Sequence, residues 1–443
     1  MLLSVIGCGY LGAVHAAALA ALGHSVVGVD TDRAQVALLA GGEAPFYEPG
    51  LDDLLRQGLA AGRLAFSAEP GAAAGAKMHF LCVGTPQAAG GLAADLTALD
   101  QAAAALGPQL APGDVVVGKS TVPVGTARAL ARRLGGRGAE LVWNPEFLRE
   151  GRGLEDTLRP DRIVYGLAHP PASPGAELLD SVYRPMLDGG APRLAMSYES
   201  AELVKTAANS YLALRLSFIN AISDLADAAG ADIGQVAAAL RLDERIGRRF
   251  LNPGLGFGGG CLPKDLRALA ARAAELGAAD TAALLAQADR INQARPGRLV
   301  ALARAALGGS LRGRPVAVLG LSFKPLSDDV RGSQSLIAAE ALAAAGAVVT
   351  ATDPRAVEAA RSCHPGLAYA GSVRQAVSGA QLVALLTEWE EYARLDPAEV
   401  AAWTPARAIV DARGVLDGAA WAGAGFTVHW LGRPPARPAE ALA

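Results

Sequence analysis

Cys261 lies in the run Phe257-Gly258-Gly259-Gly260-Cys261-Leu262-Pro263-Lys264-Asp265. The three glycines leave a backbone that another molecule can approach closely. Pro263 suits the first position of a helix, which places Cys261 just before a helix N-terminus. There the helix dipole, with Lys264 beside it, favours the thiolate, the nucleophilic form of cysteine. The same residues admit a plainer reading, in which Asp265 caps the helix and Cys261 is a small core residue. Cys261 and Asp265 are four residues apart, and two other polar pairs share that spacing. Glu146 and Glu150 lie in Asn144-Pro145-Glu146-Phe147-Leu148-Arg149-Glu150, just past an apolar strand, the end of a strand at which open α/β sheets bind ligands. Lys205 and Asn209 lie in a long helical stretch, where a step of four puts them on one face. Any one such pair alone is commonly a solvated surface.

A thiolate adds to an aldehyde to give a thiohemiacetal, and loss of hydride from that carbon gives a thioester that water can hydrolyse. The sequence of steps needs a hydride acceptor, a base for the water and donors for the oxyanions. The carboxylates and Lys205 with Asn209 can fill the last two roles. The first 30 residues provide for the hydride acceptor. Gly7-Cys8-Gly9-Tyr10-Leu11-Gly12 follows an apolar strand and opens a helix over 13–22, and Asp30 ends the next apolar strand, 26–29. Gly7 permits the tight turn, Gly9 lets the backbone approach a pyrophosphate, and Gly12 lets helix and strand pack closely. The helix N-terminus faces the phosphates and Asp30 accepts the ribose hydroxyls. An acid there favours NAD and repels the 2′-phosphate of NADP.

These residues need elements to hold them. Further apolar strands over 78–83, 115–117 and 141–143 alternate with Ala- and Leu-rich helical stretches, the pattern of a doubly wound sheet. From Ser200 to about Gly230 the sequence carries neither Pro nor Gly before its end, predicting a helix of about 30 residues and roughly 45 Å. More helix follows to about Arg295. Past the Gly308-Gly309 and Gly313-Arg314-Pro315 breaks, strands over 316–319, 348–352, 382–386 and 408–410 restore the strand–helix alternation. Residues from 433 on, with three prolines, read as a loose tail.

The chain has 443 residues, 51% apolar and 19% charged, enough for several domains with large cores. A net charge of -3 supplies no overall basic field for nucleic acid. Cys8, Cys82, Cys261 and Cys363 lie far apart, with no CxxC pair and no Cys/His cluster at zinc-ligand spacing, so neither a disulfide framework nor a structural metal site is suggested, and Cys8, Cys82 and Cys363 read as buried fillers. Residues 1–29 lack any charged side chain, but glycines at 7, 9, 12, 23 and 28 interrupt them and His15 and His24 sit inside them, with no basic segment in front. A signal peptide or membrane span is therefore not expected. The expectation is a soluble protein of a reducing, cytoplasmic compartment, with no metal, no nucleic acid and no membrane partner.

Longer motifs carry a resemblance. GCGYLG at 7–12, APFYEPGLDDLL at 44–55, VGTP at 83–86, KSTVPVGT at 119–126, NPEFLREG at 144–151 and PDRIVYG at 160–166 resemble the nucleotide-sugar dehydrogenase family. So do AELVKTAANSYLALRLSFIN at 201–220, DERIGRRFLNPGLGFGGGCLPKD at 243–265, GLSFKP at 320–325, SDDVRGSQS at 327–335 and DARGVL at 411–416. The resemblance implies an α/β fold of two Rossmann-like doubly wound domains joined by a long central helix in a helical dimerisation region. Its expected parts are an NAD-binding domain over 1–195, a helical domain over 196–305 and a nucleotide-sugar domain over 306–432. It implies NAD as cofactor and a four-electron oxidation of UDP-glucose to UDP-glucuronate. dTDP-glucose, GDP-mannose or a UDP-N-acetylhexosamine are sibling substrates.

By the same resemblance Cys261 is the nucleophile, Lys205 with Asn209 stabilises charge on the sugar oxygen, and Asp265 works with them through a water. Glu146 is the base for thioester hydrolysis and Thr121 a partner of the catalytic water. Tyr10, Leu11, Gly84, Thr85, Pro86, Ser120, Thr121, Glu150 and Arg331 join the glycine turn and Asp30 as NAD contacts. Glu146, Phe147, Leu148, Arg149, Glu150, Lys205, Asn209, Asn252, Gly254, Phe257, Gly258, Lys324 and Arg413 resemble contacts to the nucleotide sugar. Arg245 resembles an arginine that reaches the neighbouring subunit's site, so a homodimer or higher homo-oligomer is expected. The sequence departs from the family pattern at Gln35, where a basic residue is common and Arg33 is a substitute, at Gly332-Ser333-Gln334 after Arg331, and at Gly260, which should loosen the loop. A single-hydride dehydrogenase using Lys205 and Asn209, and a non-enzymatic ligand-binding regulator, are the rival classes; neither uses Cys261.

Overall fold

A computed structural model of the chain describes residues 1–439. The chain divides into two compact units, Met1–Ala208 with Arg267–Ala279, and Asn209–Leu266 with the chain from Asp280 on. The residues of the helical middle expected over 196–305 are shared between the two. Each unit is built on one sheet.

The sheet of the first unit comprises β1 (Leu2–Ile6), β2 (Ser25–Val29), β3 (Leu64–Ser67), β4 (Met78–Leu81), β5 (Val115–Gly118), β6 (Glu140–Trp143), β7 (Ile163–Leu167) and β8 (Arg193–Ser197). Its order is β3-β2-β1-β4-β5-β6-β7-β8. The first six are mutually parallel, with Ile6 of β1 level with Val29 of β2 and Leu81 of β4. β7 joins β6 antiparallel and pairs with β8 in parallel. The central strands are largely apolar on both faces, apart from buried Ser4 of β1 and His79 of β4, which are hydrogen-bonded to each other at 2.7 Å. On the helix Tyr10–Ala21 the alanines 13, 16, 17 and 18 are fully buried, small enough to let the helix lie close against the strands. Strand order reverses between β1 and β4, and the segments after β1, β4, β5 and β6 all leave from carboxyl ends. Those segments carry the glycine turn, residues 84–86, residues 119–121 and residues 144–150.

In the second unit β9 (Pro315–Leu319), β10 (Val348–Thr352), β11 (Ala368–Tyr369), β12 (Leu382–Leu385), β13 (Ala408–Asp411), β14 (Thr427–Trp430) and β15 (Arg433–Ala436) follow the order β11-β10-β9-β12-β13-β14-β15. All pairs but the last are parallel. β15 corrects the expectation of a loose tail for 433–436, where Arg433 and Ala436 pair with β14; 440–443 lie outside the described residues. Proline can sit there because β15 is an edge strand. Gly320 (φ +104) follows β9 as Gly7 (φ +86) follows β1, and Asp353 follows β10 as Asp30 follows β2. The likeness ends at the carboxylate. Asp353 is buried and accepts from the backbone N–H of Leu321, Ser322, Arg355 and Ala356, from Ser322 Oγ and from Trp389 Nε1.

The long helix is Tyr198–Ala229, of 32 residues. The helix expected to end near Arg295 runs instead over Ala279–Ala306 with Pro296 inside it. Tertiary packing overrides the helix-breaking residue here: Arg295, Pro296, Leu299 and Ala303 are all buried. Among the described residues no helix is long and apolar enough to cross a membrane, and no group of three or more His, Cys, Asp or Glu side chains is arranged to hold a metal.

Candidate active site

The glycine turn is built by the reasons its spacing suggested. Gly7 has φ +86, and a Cβ on it would meet Val83 Cγ1 at 2.7 Å. A Cβ on Gly12 would lie 1.8 Å from the Gly7 carbonyl oxygen, whereas one on Gly9 would meet nothing within 4 Å. Gly9 thus faces open space at the start of the helix Tyr10–Ala21. We expect Gly12→Ala to force the turn apart and destabilise the first unit by about 1–3 kcal/mol, read as a lower urea midpoint.

A cavity of about 500 Å³ adjoins this turn, lined by Gly7, Gly9, Asp30, Gln35, Val83 and Gly84 among others. Asp30 Oδ2 accepts from the Cys8 N–H at 2.6 Å and from Gln35 Nε2 at 3.2 Å, and Oδ1 from the Asp32 N–H at 2.9 Å. These fix the carboxylate at the cavity wall. Arg33 does not take the place of the missing basic residue: its guanidinium pairs with Glu69 at 2.8 Å and is largely exposed. The cavity, the open Gly9 and the anchored aspartate fit a dinucleotide. Nearby, Thr85 Oγ1 donates to the Thr121 carbonyl at 2.6 Å and Ser120 Oγ to the Val83 carbonyl at 2.7 Å, so the loops after β4 and β5 are tied to one another. Pro86 is held by its carbonyl, which accepts from the Asp95 N–H at 2.7 Å.

Residues 144–149, past β6, are irregular, and side chains hold them. Glu146 Oε1 lies 2.8 Å from Lys205 Nζ, with Lys205 almost fully buried; Oε2 accepts the Leu148 N–H at 2.6 Å. Phe147 lies under Arg162, 3.7 Å from ring centre to guanidinium carbon. Arg149 is held by Asp156, through its N–H and Nε at 2.9 Å each and through Nη2. Glu150 is half-buried at the following turn. Tyr10 donates to Glu48 at 2.5 Å, and the same carboxylate accepts the N–H of Gly151 at 2.6 Å and of Gly153 at 2.7 Å. Glu48 thus fastens the end of this segment to the glycine-turn helix, while Leu11 packs partly buried against the core beneath that helix.

In the second unit Cys261 is exposed and immediately precedes the helix Leu262–Glu275. Its carbonyl accepts the Asp265 N–H at 2.9 Å, so Pro263 is the second helical residue and not the first. The core-filler reading of Cys261 is excluded. Cys8 and Cys82 are buried as expected; Cys363 is exposed, contrary to expectation. Asp265 is 1% exposed and does more than cap a helix. Its Oδ2 accepts from Asn209 Nδ2 at 2.7 Å and its Oδ1 from Lys264 Nζ at 2.6 Å.

The glycines before Cys261 are packed as well as open. The Gly259 N–H donates to the Arg331 carbonyl at 3.0 Å. A Cβ on Gly258 would lie 2.3 Å from the Gly332 carbonyl oxygen, and one on Gly260 would lie 2.9 Å from the Arg331 guanidinium carbon. Gly260 therefore gives room to Arg331, whose guanidinium is paired with Asp329, a packing reason beyond loop flexibility. Phe323 lies against Gly259, with Lys324 Nζ 5.5 Å from its ring centre.

Residues 252–257 have no regular structure, so their backbone groups need side-chain partners. The Gly254 N–H donates to Asn220 Oδ1 at 2.8 Å and its carbonyl accepts Arg295 Nε at 2.8 Å. Asn292 brackets Phe257, accepting its N–H at 2.8 Å and donating to its carbonyl at 2.9 Å, and Arg413 Nη1 donates to the Gly256 carbonyl at 3.1 Å. Asn252, Gly254 and Arg413 line a cavity of about 550 Å³ with Arg241, Trp430 and Arg433. Arg245 is 89% exposed by its side chain and pairs only with Asp243 among the described residues.

The first unit thus brings together Glu146, Lys205, Thr121, Ser120 and Thr85 around the strand ends, and the second brings together Asn209, Asp265 and the Cys261 helix. Lys205 and Asn209 are one turn apart on the helix Tyr198–Ala229. The motifs alone assign no role to Lys119, Asn144, Glu48, Asn220, Asn292 or Arg295. The signal for the first four is their place inside family motifs; the last two are found only by the contacts they make.

Residues 1–187 match the NAD binding domain of the UDP-glucose/GDP-mannose dehydrogenase family, 199–294 its central domain and 317–418 its UDP binding domain. A UDP-glucose 6-dehydrogenase of Rhizobium meliloti (strain 1021) is 39% identical over 442 residues, 98% of this chain and 100% of that protein. One of Pseudomonas aeruginosa is 39% identical over 462 residues, covering 100% of both chains. The structure of a UDP-glucose dehydrogenase from the archaeon Pyrobaculum islandicum superposes with a TM-score of 0.87 at 39% identity, covering 98% of each chain. With a family match along most of its length, an NAD-binding sheet and relatives that are oxidoreductases, this chain belongs to the UDP-glucose/GDP-mannose dehydrogenase family of NAD-dependent enzymes.

Proposed function

We propose that the protein oxidises the 6-hydroxymethyl group of UDP-glucose to a carboxylate, giving UDP-glucuronate, by way of a covalent intermediate on Cys261. The observation that carries this reading is an exposed cysteine at a helix N-terminus, with the buried, doubly hydrogen-bonded Asp265 one turn along that helix. NAD, when bound, accepts one hydride in each of the two oxidations.

The chain's residues do the rest. In the first oxidation the alcohol loses a hydride and passes its proton to a water held by Asp265, and Lys205 with Asn209 stabilises the negative charge passing through the sugar oxygen. Asp265 acts with them through that water. The Cys261 sulfur then bonds to the aldehyde carbon, and the carbonyl oxygen becomes the oxyanion of a thiohemiacetal. Loss of the second hydride restores the C=O bond as a thioester. Glu146 removes a proton from water, whose oxygen attacks the thioester carbon; the C–S bond breaks and Cys261 is released as the acid forms. Thr121 orients that water.

The substrate's diphosphate calls for cations, and Arg413, Lys324 and the loop 252–258 are proposed to bind the nucleotide sugar. Phe147, Leu148, Arg149 and Glu150 are proposed as further contacts to the sugar, and Gly84, Thr85, Pro86, Ser120, Glu150 and Arg331 as contacts to NAD. The test is the NADH formed per limiting UDP-glucose with NAD in excess. Two per sugar is expected. One would stop the reaction at the aldehyde and remove the covalent second stage. None with UDP-glucose but two with dTDP-glucose or another nucleotide sugar would change the substrate and keep the chemistry.

A homodimer is part of the proposal. Leu203, Tyr211, Phe218 and Leu225 are all exposed on the helix Tyr198–Ala229, at steps of about two turns that place them on one face. A second copy of the same helix is the proposed cover, and Arg245 of one chain then reaches the other's site. Replacing Phe218 and Leu225 together by Asp should convert a dimer into a monomer by sedimentation and lower turnover with it; an unchanged mass would remove this face from the interface.

A further inference from the structure

Lys119 is a buried lysine with no carboxylate within ion-pair distance among the described residues. Its Nζ donates to Asn144 Oδ1 at 2.9 Å and lies 3.4 Å from the Tyr183 hydroxyl. Tyr183 donates to the same Asn144 oxygen at 2.9 Å, and His15 Nε2 lies 3.4 Å from the Tyr183 hydroxyl. The amide nitrogen of Asn144 donates to the Val164 carbonyl at 2.9 Å, and its backbone N–H to the Gly118 carbonyl at 2.7 Å. Asn144 is the residue at which the chain leaves β6, and Pro145-Glu146 follow. Lys119, Asn144 and Glu146 line one cavity of about 70 Å³.

A buried ammonium without a counter-ion weakens a fold, so packing alone would be better served by methionine. We propose that Lys119 is a positioning residue for Glu146: anchored on Asn144 and Tyr183, its ammonium fixes the exit from β6 and with it the place of the carboxylate two residues further on. The inference rests on the proposed role of Glu146 in thioester hydrolysis.

The surrounding groups support it. Those facing Lys119 are His15 on the helix Tyr10–Ala21, Cys82 after β4, Tyr183 after the helix Pro174–Val182, Glu146, and Lys205 on the long helix. Burial pushes His15 well below the usual imidazole range, Cys82 up to about 12 and Tyr183 well above the usual phenol range. All three are uncharged at neutral pH. That leaves Glu146 as the one carboxylate of this group, its Oε1 2.8 Å from the Lys205 ammonium. Burial pushes Lys119 itself down to about 8, and Glu146 pulls the other way.

The test is Lys119→Met, with two readouts. In single turnover with UDP-glucose and excess NAD, intact-mass spectrometry should show acyl-enzyme on Cys261 accumulating at least tenfold above wild type. KM for UDP-glucose and the rate of the first hydride transfer should stay within about twofold of wild type, so that the loss falls on thioester hydrolysis alone. Urea unfolding gives a signal free of activity. A lysine depressed to about 8 in the folded state makes the fold gain stability as pH rises from about 8 towards its ordinary value, since the unfolded chain then binds more protons. Lys119→Met should lack that gain and be the more stable protein at pH 7. Should it not fold, Tyr183→Phe decides, with a smaller accumulation of acyl-enzyme on Cys261. No accumulation of acyl-enzyme, in an enzyme whose wild type yields two NADH per sugar, overturns the inference alone. A wild type giving no NADH with any nucleotide sugar removes the proposed function, and this inference with it.

Discussion

Cys261→Ala will end carboxylate formation, lowering the rate of acid production by about 10⁴-fold or more, the scale seen when a covalent nucleophile is removed. The alanine leaves the helix Leu262–Glu275 and its first hydrogen bond intact, because that bond uses the backbone carbonyl of residue 261. Asp265 keeps both of its donors. The loss therefore falls on the chemistry and not on the fold, and a urea midpoint within experimental error of wild type should accompany it. NADH yield should drop from two per sugar to one at most. An alanine variant that still yields two NADH and free acid would show that water attacks the aldehyde directly and that the thiol is dispensable.

Lys205→Met should lower kcat by about 10²–10³-fold, the usual loss when one donor to a developing oxyanion is removed, with a smaller change in KM for the nucleotide sugar. A second consequence follows from the ion pair. Lys205 is 3% exposed and its ammonium lies 2.8 Å from Glu146. Deleting one member of a buried pair strands the other, at about 3–5 kcal/mol. Unlike Cys261→Ala, this variant should therefore lose both rate and stability. Equal losses in kcat at fixed KM, measured alongside the urea midpoint, separate the two effects; a variant with wild-type kcat would remove Lys205 from the transition state.

Several parts of this arrangement are legible in the residues alone. The glycine turn is, because each glycine answers a local steric demand that its position in the motif already implies. The buried central strands are, as continuous apolar runs between breaks. β3 and β8 escape because they carry half-exposed residues, and so lack an unbroken apolar run. β15 escapes because its prolines read as a terminus, although an edge strand tolerates them. Pro296 misplaces a helix end because packing around Arg295 outweighs local propensity. The Cys261 motif is legible as a whole, but the pairing of Lys264 and Asn209 with one carboxylate depends on tertiary contacts. Lys119 shows the limit most clearly: a lysine in sequence looks exposed, and only its neighbours reveal a buried charge.

The saturated carboxylate of Asp353 has a consequence for timing. The second sheet repeats the strand order of the first, yet six donors occupy the aspartate that would receive a ribose, so among the described residues each chain has one berth for a dinucleotide. In the proposed reaction two hydrides must then leave in succession through the same berth. Spent cofactor has to depart and fresh cofactor arrive while the half-oxidised sugar stays aboard. The fraction of sugar that escapes as aldehyde is set by a race between those two departures, and a high ratio of reduced to oxidised cofactor slows the exchange without touching any catalytic group.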